Sequence, residues 1–177
     1  MSVYLSVAPP DGFTRWGDAD WDRWLREHPW EAAERVCSRG DWSIFLYQLR
    51  QHAERGKKLL EPLMEQLVNE KPFNTQEAQD LKAALATARE ELAKKPASLL
   101  SDEARISPFA SAEDVDAMIA AARSRFGHEP TVAEVWAQLL ERVEKVLDDA
   151  SRERRGVYEA PIFEHRLRRN DDLFRIE

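Results

Sequence analysis

The stretch that decides the fold is residues 131–155, which read TVAEVWAQLLERVEKVLDDASRERR. Thr131 and Glu134 have the spacing of a capping box, in which two side chains bind each other's backbone N–H groups where a helix begins. The pattern predicts a single helix, because arginines fill its last turn and Gly156 follows where glycine commonly ends a helix. The apolar residues of this stretch recur at the three-to-four-residue spacing of one helix face: Val132, Val135, Trp136, Leu139, Leu140, Val143, Val146 and Leu147.

Similar apolar spacing predicts further helices between residues 18 and 126. The helix that begins at Pro29 carries Ala33 and Cys37 on its apolar side and ends at Gly40. The next helix runs to Gly56, and another covers residues 60–71. Polar residues that favour helix N-termini stand before the remaining patterns: Asp18, Asp41, Asn74 (three residues before Glu77) and Ser111.

The first residues differ from the rest of the chain. Val3, Leu5 and Val7 alternate with polar residues, which is typical of a strand, and the only β-like partner lies near Val157. We therefore predict a mainly α, single-domain bundle of about six or seven helices with a short terminal β-strand pair. In this prediction one domain covers residues 1–177, residues 96–111 form an internal connection, and residues 157–177 form a C-terminal extension.

The composition excludes several classes of protein. Of the 177 residues, 43% are hydrophobic and 33% are charged, which is too apolar for a disordered chain. The single cysteine, Cys37, excludes an internal disulfide framework and fits a reducing compartment. Because the chain shows neither a signal-peptide pattern nor an apolar run of membrane-spanning length, we expect a soluble cytoplasmic protein.

Motifs that carry catalytic chemistry are missing from the sequence. The four histidines stand in no H-E-x-x-H pattern, and no glycine-rich phosphate-binding loop or G-x-S-x-G elbow occurs. Asp18, Asp20 and Asp22 resemble the opening of a calcium loop, but Arg23 and Pro29 stand where that loop needs glycine and glutamate. We expect no metal and no cofactor. The sequence favours a protein without catalytic activity, and an enzyme stays open as the alternative.

The tryptophans are concentrated in residues 16–42, where arginines separate several of them. Such a segment can fill the core of short helices, form a protein interface rich in Trp and Arg, or offer a stacking surface for a ligand. Trp16 and Trp24 are the two tryptophans that we expect to be exposed. This segment supports an alternative function, a small enzyme or ligand-binding domain whose site lies around the Trp-rich helices.

Acidic residues are concentrated in residues 101–149, and this stretch supplies most of the net charge of −7. We predict a non-catalytic interaction protein, such as a regulator or a toxin-neutralising immunity protein, whose acidic helical face binds a basic protein partner. Nucleic acid is disfavoured because most of the surface would repel phosphates, no membrane partner is expected, and a homo-oligomer stays open. The predicted interaction residues, besides the two exposed tryptophans, are Glu113, Asp114, Asp116, Glu134, Glu141 and Glu144.

Overall fold

The computed structural model describes residues 2–9, 18–27, 33–60, 73–104 and 111–159. The predicted class is confirmed, since the chain is a mainly α single domain with a small antiparallel sheet. The strands are β1 (Ser2–Val7), β2 (Ala33–Ser38) and β3 (Val157–Glu159). The helices with complete described bounds are α1 (Asp18–Glu27), α2 (Arg39–His52), α3 (Thr75–Leu92), α4 (Ser98–Ala104), α5 (Ala112–Phe126), α6 (Val132–Val135) and α7 (Ala137–Glu153). Residues 54–60 are also helical.

Two compact units make up the chain. The first unit comprises residues 1–39, 65–79 and 142–177, and the second comprises residues 40–64 and 80–141. The three strands belong to the first unit. Helices α4, α5 and α6 belong to the second unit.

The sheet of the first unit has the strand order β2-β1-β3, and both pairings are antiparallel. Strand β1 lies in the centre and alternates as predicted, so that Val3, Leu5 and Val7 are all buried. Val7 faces Val157 of β3, which confirms the predicted pairing between the two ends of the chain. A second partner, β2, was not predicted.

The helix predicted from Pro29 to Gly40 is wrong, because Ala33–Ser38 forms β2. Val36 is buried with an exposed Arg35 before it, and this alternation fits a strand better than a helix face. Arg142 of α7 donates a hydrogen bond to the Val36 carbonyl oxygen at 3.0 Å. Because a six-residue segment has little helical stability of its own, pairing with β1 decides its conformation. Residues 28–32, which include the predicted helix start, lie outside the described residues.

The predicted end of the last helix at Gly156 is also wrong. Helix α7 ends at Glu153, and Arg154 takes the left-handed conformation with φ of 54°. The N–H of Arg155 donates to the Ala150 carbonyl oxygen at 2.8 Å, which is the bond of a Schellman motif. Gly156 has a different task, since a Cβ at this position would overlap the carbonyl group of Phe73.

In the second unit, the prediction that a helix ends at Gly56 is wrong, because Gly56 lies within the helical residues 54–60. A Cβ at Gly56 would lie 2.7 Å from the Cβ of Ala88, so glycine allows close packing against α3. The Glu91 carboxylate accepts hydrogen bonds from the backbone N–H groups of Arg55 and Gly56, at 3.0 and 2.9 Å. Glu91 therefore caps this helical segment from 35 residues away.

The core of the second unit contains an aromatic group around Trp136. The Trp136 and Phe45 ring centroids are 5.5 Å apart, and the Trp42 and Phe45 ring centroids are 5.8 Å apart. The Trp136 indole N–H donates to Oε1 of Gln48, which is also buried. The single helix predicted over residues 131–155 is interrupted at this point, since α6 ends at Val135 and α7 begins at Ala137.

Candidate functional site

The first turn of α5 carries two of the predicted acidic site residues, Glu113 and Asp114, and a third, Asp116, follows this turn. Ser111 begins this helix, because its hydroxyl oxygen accepts a hydrogen bond from the Asp114 N–H at 3.0 Å. Glu113, Asp114 and Asp116 are exposed. Negative charge at this end is favourable, since the unpaired N–H groups of a helix N-terminus carry partial positive charge.

Helix α4 is hydrogen-bonded to α5 close to this turn. The Ser101 hydroxyl donates a hydrogen bond to Asp116 Oδ1 at 2.6 Å, which joins α4 to α5. Asp102 follows Ser101 on α4 and is exposed. We call the three carboxylates of Glu113, Asp114 and Asp116 the acidic patch.

Helix α4 was not predicted, because residues 96–111 were assigned to an internal connection. A signal was available, since Leu99 and Leu100 follow Ser98, a residue that favours helix N-termini. In the structure, α4 buries Leu100 and leaves Asp102 exposed. The segment therefore contributes a helix that is hydrogen-bonded to the patch through Ser101.

The basic residues of α5 are neutralised by other carboxylates. Arg123 donates two hydrogen bonds to Glu129, from Nε at 2.9 Å and from Nη2 at 3.0 Å. Arg125 forms an ion pair with Glu141 at 3.2 Å. Within the described ranges, no basic side chain pairs with the carboxylate of Glu113 or Asp114. Among the described residues, nothing therefore balances the charge of Glu113 and Asp114.

Glu134, another predicted interaction residue, has a structural task. Its Oε2 accepts a hydrogen bond from the Thr131 N–H at 2.7 Å, and the Thr131 hydroxyl oxygen accepts one from the Glu134 N–H at 3.3 Å. This is the predicted capping box, and it begins α6. The Thr131 N–H lowers the pKa of the Glu134 carboxyl below its ordinary value, and His128, 3.2 Å away, acts in the same direction.

Glu141 and Glu144 lie on α7, and the structure does not join them to the patch. Glu141 is exposed, but its charge is balanced by Arg125. Glu144 is half-buried and belongs to the first unit. Among the described residues, the predicted acidic face is therefore narrowed to the acidic patch as the candidate site.

The tryptophans differ in their surroundings. Trp24 is half-buried rather than fully exposed, and the guanidinium of Arg155 lies over its ring, 5.2 Å from the centroid. Arg155 is held there by a hydrogen bond from its Nε to the Ala8 carbonyl oxygen at 2.7 Å. Trp42 is part of the core. Trp16 lies outside the described residues.

Among the residues that the structure describes, no three His, Cys, Asp or Glu side chains are grouped so that they could hold a metal ion. No helix in the described ranges has the length and apolar character needed to cross a membrane.

Comparison with protein-family models, with curated proteins and with solved structures finds no match to this chain.

Proposed function

We propose that this protein is a non-catalytic interaction protein that binds a basic protein partner through the acidic patch. The observation that carries the proposal is the division of charge along α5. Glu113 and Asp114 have no basic partner in the described part of the chain, whereas Arg123 and Arg125 are each bound to a carboxylate. A regulator or a toxin-neutralising immunity protein is the kind of molecule that would act through such a surface.

Physical chemistry supports this proposal in two ways. Like charges grouped on one surface raise the association rate with a complementary partner, and they do so most strongly at low ionic strength. Ala117, which follows the patch on α5, has a short, exposed side chain that does not obstruct a partner. A partner can therefore bring lysine or arginine side chains to the carboxylates.

A cytoplasmic location is part of the proposal. It rests on the half-buried single cysteine, Cys37, which fits a reducing compartment.

The alternative function, a ligand site around the Trp-rich helices, stays a prediction. Trp16 and Trp30 lie outside the described residues. At Trp24, one ring face is occupied by the guanidinium of Arg155, which leaves less of the ring for stacking. The described residues therefore favour the acidic patch over a tryptophan site.

Site-specific photo-cross-linking in a lysate of the source organism tests the proposal. We would place benzoylphenylalanine at Ala117, beside the patch, and at Ala86, an exposed alanine of α3, as the matched control. The expected result is a cross-link from Ala117 to a basic protein that fades as salt is added and is lost in Glu113→Gln/Asp114→Asn. The proposal fails if Ala117 gives no product, if Ala86 gives the same one, or if the product survives the substitutions.

A further inference from the structure

We draw no further inference here: the strongest candidate, the exposed face of α5 on which Ala117, Ala120, Ala121 and Ser124 follow the acidic first turn, is a stripe of small residues beside an acidic cluster, and nothing in the structure shows what covers it.

Discussion

The carboxylates at the two ends of α5 have different tasks, although they are chemically alike. Beyond the C-terminal end, Glu129 binds Arg123 and Glu134 completes the capping box of α6. At the N-terminal end, Glu113 and Asp114 are exposed and pair with no basic residue in the described part of the chain. The difference teaches that a high density of acidic residues does not define a binding face, because many of those residues stabilise the fold.

The largest expected effect concerns Trp136 in the core of the second unit. Trp136→Ala should lower the free energy of unfolding by about 3–5 kcal/mol, because it replaces a large buried side chain by a cavity. Urea denaturation of wild type and variant measures this difference. Trp136→Phe is the control, since it keeps a ring against Phe45 but leaves Gln48 without its indole donor, and it should cost less. An unchanged midpoint for Trp136→Ala would show that α6 and α7 do not pack as described.

The second prediction compares one carboxylate from each end. Glu134→Ala should destabilise the protein by about 1 kcal/mol, because the capping box loses its bond to the Thr131 N–H. Glu113→Ala should cost only a few tenths of a kcal/mol, through its interaction with the helix dipole. Thermal denaturation of both variants measures the contrast. Equal losses of stability in the two variants would contradict the structural task assigned to Glu134 and not to Glu113.

The third prediction concerns pH. The pKa of Glu134 is lowered in the folded state, so the folded state binds fewer protons than the unfolded state near the ordinary value of 4.5. Its contribution to stability is therefore complete above pH 4.5 and is lost as the pH falls through the lowered pKa. The stability difference between wild type and Glu134→Gln should shrink over that acid range in urea denaturation series. A stability difference that grows towards acid pH would contradict the lowered pKa of Glu134.

The starts of α3 and α5 were predictable because a cap depends on residues only three apart. The start predicted at Asp41 is wrong, since α2 begins at Arg39 and Asp41 lies in its first turn. Asn74 and Glu77 bind each other's N–H groups at 2.9 and 2.8 Å, and Ser111 accepts from Asp114, as their spacing predicts. Strand β2 was not predictable in this way. Its six residues lie between helical segments, and their conformation depends on β1, about thirty residues away.

The candidate site was predictable only in part, for a similar reason. Glu113 and Asp114 follow the predicted N-cap Ser111 directly, where negative charge is favourable, and so their place at the start of a helix could be predicted. The pairing of Glu141 with Arg125 joins residues 16 positions apart, and no local pattern indicates it. The part of the site that depends on tertiary contacts could therefore be identified only from the structure.

The most direct test of the central claim is the binding of a fluorescein-labelled oligolysine peptide, measured by fluorescence anisotropy at about 10 mM salt, where the Debye length is about 30 Å. Three proteins are compared: wild type, the patch variant Glu113→Gln/Asp114→Asn, and the control variant Glu54→Gln/Glu90→Gln. The control removes two negative charges, the same number as the patch variant, from exposed positions of the second unit. Glu54, like Glu113, lies in the first turn of a helical segment.

We predict that the patch variant weakens binding about tenfold, which corresponds to about 1.4 kcal/mol, and that the control changes it less than about twofold. Circular dichroism of the three proteins should be the same, because none of the four carboxylates has a structural partner among the described residues. Equal weakening by the two variants would show that the peptide responds only to net charge, and it would contradict the acidic patch as the binding site.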